Sequence, residues 1–377
     1  MIYLDNNAST PVDPEVSDAI FSSLRRDYGN PSSAHDLGRR AHDRLESYRD
    51  VVADFIGCTP AEIIFTSGGT ESNNLAILGL ARFRGKGHII TSAIEHPSVS
   101  NVCDYLQRHG FSISRIGTDR VGVIDLDALQ KAVSGETFLI SVMHANNETG
   151  VIQPVGEIAR IAGDHGIVFH CDAAQTVGKI PFSLKGSGIG MLTLASHKFY
   201  GPKGIGALCL DKGIALSPLL FGAGHERGLR PGTENLAGIS GLAAACRIAG
   251  RDIKLRVAHT ARLSALLLDE LKASVPGVRL NGHETLRLPN TLNILIPGVP
   301  ADALIERLGL QVALSAGSAC HAGSRTPSAV LTGMGLTNDM ALSSVRISIG
   351  KDNTEEEIRE AAAYIAAAAR DIRKKSA

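Results

Sequence analysis

From about residue 60 to 210, short apolar runs alternate with stretches whose apolar positions recur at helical spacing. Glu62–Thr66 (EIIFT) predicts a strand, Ser67-Gly68-Gly69 a turn, and Thr70 to about Arg84 a helix. His88–Ser92 (HIITS) predicts another strand, and Pro97–Arg108 another helix. Phe138–His144 (FLISVMH), Ile167–Asp172 (IVFHCD), Met191–Leu194 and Gly206–Leu210 continue the series, with helices at Asp125–Val133 and Val155–Asp164 between some of them. Strand–helix alternation with β-rich runs predicts an α/β fold, a mostly parallel sheet covered by helices on both faces. Beyond about residue 255 the pattern changes. A long helix (Lys254–Ser274) leads to strands near Val278–Leu280 and Asn290–Ile296, a helix at Ala301–Leu308, a strand at Ser343–Ser348 and a terminal helix from Thr354. This predicts a smaller α+β lobe, dividing the chain into a large domain over 15–255 and a small one over 1–14 and 256–377.

A chain of 377 residues, 44% of them hydrophobic, has ample material for two such cores. Lys+Arg and Asp+Glu are equal at 38 each and no long basic run occurs, which argues against a nucleic-acid surface or a basic membrane stripe. The Ala361–Ala369 stretch is short and flanked by charge, so it reads as a helix and not as a membrane span. Met1–Pro11 lacks the basic and apolar regions of a signal peptide, and the expectation is a soluble cytoplasmic protein.

Six cysteines occur without a CxxC pair, which argues against a disulfide framework or a metal site. Cys58, Cys103, Cys171, Cys209 and Cys246 sit in apolar or amphipathic surroundings and read as packing residues. Cys320 differs. It lies in Ser315-Ala-Gly-Ser-Ala-Cys-His-Ala-Gly-Ser-Arg325, small and polar on both sides, the composition of a mobile exposed loop.

Open α/β sheets gather their ligands at the C-terminal ends of the strands, and several chemically capable residues fall at such ends. Lys198 follows Met191–Leu194 and turns into a Gly/Pro-rich loop. The plain alternative is a solvated lysine, with Lys203 as competitor. Asp172 closes a buried run, where a carboxylate needs a partner, although a helix N-cap would use it equally well. Ser67-Gly-Gly-Thr-Glu-Ser72 combines backbone access at Gly69, a helix N-terminus and the Thr70 hydroxyl, which suits a phosphate. Thr70 could instead simply cap the helix. His96 follows another strand end and could stack on a ring; most loop histidines do nothing of the kind. Gln175 and Asn147 are placed to donate to a ring oxygen. Arg346 stands inside a strand fit for burial, where its fork suits either a substrate carboxylate or an internal salt bridge. A lysine, a carboxylate and a phosphate cradle together meet the demands of a cofactor with an aldehyde, a pyridine nitrogen and a phosphate.

With these residues stand Tyr3-Leu-Asp-Asn-Asn-Ala8, Gly29-Asn-Pro-Ser-Ser33, Glu95-His96, Asn146-Asn-Glu148, Arg230-Pro-Gly-Thr-Glu-Asn235, Gly317-Ser-Ala-Cys320 and Val345–Gly350. Over essentially its whole length the chain resembles the Nif/Isc-type cysteine desulfurases, fold-type I pyridoxal-phosphate enzymes of the class V aminotransferase group. The resemblance implies that Lys198 carries the cofactor as a Schiff base, Asp172 pairs with its ring nitrogen and His96 stacks on it. It implies that Asn147 and Gln175 flank the ring hydroxyl and that Gly69, Thr70, Ser196 and His197 belong to the phosphate region. Thr233 would reach the phosphate site of the neighbouring subunit, making the enzyme a homodimer. Arg346, with Asn7 and Asn147, would hold the substrate, and Cys320 would take its sulfur as a persulfide. The partners implied are L-cysteine and a sulfur-acceptor or iron–sulfur scaffold protein.

Three departures qualify the resemblance. The serine usual two residues before the His-Lys pair is Ala195, with serine at 196. Residue 321 is histidine, as in selenocysteine lyases, so L-selenocysteine is the alternative substrate. The chain stops soon after its last helix, which leaves the acceptor open. Transamination is opposed by Cys320, and a catalytically silent scaffold by the presence of both lysine and cysteine.

Overall fold

The computed structural model describes residues 1–316 and 326–376. Its elements run β1 (Ile2–Tyr3), α1 (Pro14–Arg26), α2 (Asp36–Ile56), β2 (Ile63–Thr66), α3 (Gly69–Arg84), β3 (His88–Ser92), α4 (Pro97–Arg108), β4 (Ser112–Ile116), α5 (Leu126–Ala132), β5 (Thr137–Ser141) and α6 (Val155–Asp164). They continue with β6 (Val168–Asp172), β7 (Met191–Ala195), β8 (Gly206–Leu210), α7 (Leu236–Ser274), β9 (Arg279–Asn281), β10 (Thr291–Leu295) and α8 (Ala301–Leu308). The last are β11 (Val312–Ala313), α9 (Ala329–Gly333), α10 (Asn338–Leu342), β12 (Ser344–Ser348) and α11 (Glu355–Ser376).

Among the described residues a seven-stranded sheet has the order β2-β8-β7-β6-β5-β3-β4. Only β8 runs against the rest, pairing antiparallel with both β2 and β7. Strands β3, β5, β7 and β8 are buried at every position, as the apolar runs require when helices cover both faces. The parallel strands therefore present their C-terminal ends along one edge, where the connections to α3, α4 and the loops after β5, β6 and β7 begin. A second sheet, β12-β10-β9, is antiparallel, and β1 pairs in parallel with β11.

The helix expected from Lys254 begins at Leu236 and runs 39 residues. Its first part, buried from Leu236 to Ala249 on nearly all sides, has no polar face and so lacks the amphipathic period by which a helix is read. Residues Ile239–Ala249 pack into the core of the large sheet, whereas Leu263, Leu267 and Leu271 pack into a second core with Ile2, Leu4, β10, β12 and α11. The strand expected to reach His144 ends at Ser141, although the Val142 and His144 N–H groups still donate to His170 and Asp172 carbonyls at 3.1 and 2.9 Å. Ahead of the first predicted strand, α1 and α2 add two amphipathic helices, the first started by Pro14 and an Asp13 cap on the Glu15 N–H.

Candidate active site

Strands β6 and β7 pair in parallel, with Asp172 opposite Thr193, so the chain leaving β7 turns directly beside Asp172. There a short 3-10 turn, Ser196–Lys198, sets Lys198 at the sheet edge. The Lys198 Nζ donates to the Asn7 and Ala8 carbonyls at 2.8 and 3.0 Å. Burial is the main reason its amine is brought down to about 8, aided by the Arg346 charge and opposed by Asp172 and Asp5. A lysine half neutral near pH 8 is a nucleophile, and the solvated-lysine alternative does not describe it. Asp172 is 7% exposed. One carboxylate oxygen accepts from the Ala174 N–H at 2.9 Å and the other from Asn73 Nδ2 at 2.7 Å. The first bond is the cap-like turn foreseen as the ordinary use of this aspartate; the second comes from α3 and fixes the carboxylate toward the cleft.

His96 caps α4, its Nδ1 accepting from the Ser98 N–H at 3.1 Å. That bond leaves the ring proton on Nε2. Burial keeps the ring below the usual histidine range, with Lys198 acting the same way and Asp172 against it, so the imidazole is neutral and apolar-faced. His197, beside Ser9, is lowered to about 4 by burial and by Lys198, Lys203 and Lys179. Gly69 and Thr70 open α3, whose first N–H groups have no partner within the helix. Gly68 before them takes φ +146° with open space at its Cβ position, a conformation that favours glycine.

Arg346 is 5% exposed. Its Nη2 pairs with Asp5 at 2.7 Å and its Nη1 donates to the Asn147 carbonyl at 3.1 Å, while Nε has no partner among the described residues. The internal salt bridge and the substrate fork are thus not exclusive: a bound carboxylate would share the guanidinium with Asp5 or displace it. Gln175 donates to the Asn7 carbonyl at 3.1 Å, and Asn147 stays half-buried.

Asn7 and Ser196 are both fully buried. Asn7 was expected to touch substrate. Its amide is engaged by Lys179 at 2.7 Å, Asn290 at 3.2 Å and Thr291 at 2.9 Å. It positions Lys198 through its carbonyl and presents no free group. Ser196, expected at the phosphate, has a buried hydroxyl with no partner among the described residues, packed so closely on Gly201 that a Cβ there would lie 1.9 Å away. Thr233 is exposed; its motif is moored by the Arg230–Glu71 ion pair at 3.2 Å, at the start of α3. Cys320 and His321 lie outside the described residues.

Sequence reasoning missed Lys179, Asn73 and Asp5. Lys179 is 9% exposed and donates to Gln175 Oε1 at 2.6 Å as well as to Asn7. The signal was present: a lysine between Gly178 and Ile180 in an otherwise apolar run. Gly178 has φ +75°, and a Cβ there would meet Phe199 at 2.5 Å, so this turn tolerates no side chain.

A neutralisable lysine, a fixed carboxylate, a neutral imidazole and unpaired helix N-terminal donors share one sheet edge. Their chemistry fits pyridoxal phosphate: Lys198 for the aldehyde, Asp172 for the ring nitrogen, His96 for the ring face, and Gly69, Thr70 and His197 for the phosphate. Among the described residues no group of His, Cys, Asp and Glu could hold a metal ion, and no helix is long and apolar enough to cross a membrane.

Known proteins resemble the chain over nearly all of its length. The family Aminotransferase class-V matches residues 2–360, and the chain belongs to that family. Within it, the chain is 42% identical over 361 residues to "Cysteine desulfurase IscS" of Dictyoglomus turgidum, covering 95% of this chain and 91% of the relative. It is 43% identical over 360 residues to "Cysteine desulfurase 1" of Trichormus variabilis, covering 95% and 90%. A solved "NIFS-LIKE PROTEIN" superposes with a TM-score of 0.90 at 37% identity, covering 100% of this chain and 99% of that one. The structure described as "SspA in complex with cysteine" gives 0.83 at 36% identity, covering 94% and 100%.

Proposed function

We propose that the chain is a pyridoxal-phosphate-dependent cysteine desulfurase that moves sulfur from L-cysteine to Cys320 and releases L-alanine. The observation that carries this reading is the Lys198 amine, lowered to about 8 and set beside the fixed Asp172 carboxylate at adjacent strand ends. Pyridoxal phosphate supplies an aldehyde that condenses with amines and a ring that draws electron density from the substrate α-carbon. The chain's own groups do the rest. Lys198, uncharged in part at neutral pH, can take the α-proton. Asp172 holds negative charge where the ring nitrogen would lie, so a proton there is retained. His96 excludes water from the ring face, and Gln175, its amide oxygen turned to Lys179, has only its NH₂ to offer the other way.

Arg346 and Asn147 orient the substrate carboxylate. Ser315 pairs through both backbone groups with Arg346, at 3.1 and 2.7 Å, and Ser328 donates to buried Glu148 at 2.5 Å. Both flanks of segment 317–325 are therefore tied to the site. In the transfer the substrate C–S bond breaks, an S–S bond forms on the Cys320 sulfur, and the carbon takes a proton; no outside oxidant is needed.

The active form in this reading is a homodimer in which the exposed Thr233 serves the neighbouring phosphate site. The persulfide passes to an acceptor or iron–sulfur scaffold protein. A reducing, cytoplasmic compartment suits the free thiols at Cys58, Cys103, Cys171, Cys209 and Cys246. The deciding experiment measures alanine and sulfide from L-cysteine, with L-selenocysteine run in parallel. Equimolar alanine and thiol-releasable sulfide is the expected result; turnover of selenocysteine alone would replace this reading with a selenocysteine lyase.

A further inference from the structure

Among the described residues three arginines are buried: Arg49, Arg256 and Arg346, at 8%, 7% and 5% exposure. Arg49 meets Glu226 with two bonds of 2.9 and 2.7 Å, and Arg346 meets Asp5 at 2.7 Å. Arg256, on α7, is different. All three of its guanidinium nitrogens are buried with no hydrogen-bond partner among the described residues. A guanidinium cannot shed its charge, and an unpaired buried charge is among the most unfavourable arrangements in a protein.

What Arg256 does touch is the Tyr200 ring, 5.0 Å from the guanidinium carbon to the ring centroid, and the Lys351 amine lies over the same ring at 5.0 Å. Tyr200 has φ +73°, a left-handed conformation strained for an aromatic residue. It is imposed from several sides: its N–H donates to Thr10 Oγ1 at 2.7 Å, its carbonyl accepts from the Asp13 N–H at 3.0 Å, and its hydroxyl accepts from the Lys351 N–H at 2.6 Å. Strain persists where surroundings over-determine it, and here it holds the ring against two cations. An aromatic face attracts them but accepts none of their N–H bonds.

Beside these groups lies a cavity of 20 Å³ whose wall includes Arg256, Lys179, Lys198, Lys351 and Tyr200. Four basic side chains line it, of which only the Arg256 guanidinium must keep its charge, and among the described residues no carboxylate does. Asp13, which acts on Arg256 electrostatically, is committed to Lys351 and to the Glu15 N–H. Asp252 is committed to Arg251, and Asp352, which also acts on Arg256 electrostatically, is not on the wall. Lys179 and Lys198 give their bonds to neutral amide and carbonyl oxygens. The space is small, fit for a water or a monatomic ion. Water there would bring no counter-charge; a halide is a pure acceptor of the right size and sign.

We propose that this cavity binds a single monatomic anion, chloride, seated on the Arg256 guanidinium behind Lys198. The site is independent of the sulfur chemistry and would exist in a protein of any activity with this wall.

Crystals of the holoenzyme grown in sodium bromide test it, with data collected at the bromine absorption edge. The expected result is one anomalous peak in contact with Arg256; a water without anomalous signal at that point overturns the proposal. In solution, the thermal midpoint of wild type should rise with the logarithm of chloride concentration when gluconate keeps ionic strength constant. Arg256→Met should lose that dependence, and an equal dependence in the variant overturns the assignment to Arg256. A bromide peak without any halide-specific shift in wild type means binding at crystal concentration only, and also overturns it. The diffraction experiment needs no variant, so it decides even where Arg256→Met does not fold.

Discussion

The two sides of the cleft are built by different rules. On the large-sheet side, Asp172 and His96 are each fixed by a backbone N–H two residues further on, and Lys198 by the short turn that ends β7. On the opposite side nothing is local. Arg346 meets Asp5 across 341 residues of chain, and Asn7 meets Asn290 and Thr291 across 283 and 284. The first side is set once its strands pair; the second exists only when both ends of the chain have docked on the second core. Substitutions on the first side should therefore change chemistry in a folded protein, and those on the second should disturb substrate affinity and local order together.

The largest effects test the first side. Lys198→Ala should abolish borohydride-reducible attachment of pyridoxal phosphate, read by mass spectrometry, and all turnover, while circular dichroism stays that of wild type. Attachment that survives would move the role to Lys203. Cys320→Ala should likewise end alanine formation from cysteine yet leave measurable formation from selenocysteine. A selenol is the better leaving group and needs less help from a nucleophile. Undiminished cysteine turnover would remove the persulfide step.

Asp172→Ala comes next. Removing a fixed charge from a water-poor site should lower kcat by about 10²–10³-fold with a smaller change in KM. An unchanged kcat with a raised cofactor requirement would make Asp172 structural. On the opposite side, Arg346→Gln should act mainly through KM. It should also destabilise the fold measurably, because it leaves partly buried Asp5 without its counter-charge. Asp5→Asn is the sharper probe: if Asp5 competes with substrate for the guanidinium, KM falls or holds while stability drops.

The same division explains what the sequence could disclose. Strands β3 and β8 and helices α4, α6 and α8 follow directly from apolar runs, Pro starts and caps, and the placing of Lys198, Asp172 and His96 at strand ends follows from them. The start of α7 was invisible because a helix buried all round carries no period. Lys179 and Asp5 were invisible as partners because their contacts join distant segments, which no local pattern encodes. Asn7 and Ser196 show a different limit. A motif names a residue without saying whether its side chain is free, and here burial commits one to an amide network and packs the other on a glycine.

The smallest expected effect probes the balance between the two sides in one group. Burial lowers the Lys198 amine, the Arg346 cation lowers it further, and the Asp172 carboxylate pushes it back up, leaving it at about 8. Below that pH the amine is protonated and inert to aldehydes; above it the free amine reacts. In apoprotein, the rate of Lys198 modification by an aldehyde or an arylating reagent should rise through a midpoint near 8. Arg346→Gln removes a charge that opposes protonation, so the midpoint should move to higher pH. Asp172→Asn removes one that favours it, so the midpoint should move lower. Opposite displacements would place the two sides of the cleft in electrostatic contact through Lys198. Displacements of the same sign, or none, would mean that burial alone sets this amine and that Arg346 does not act on the chemistry of the large sheet.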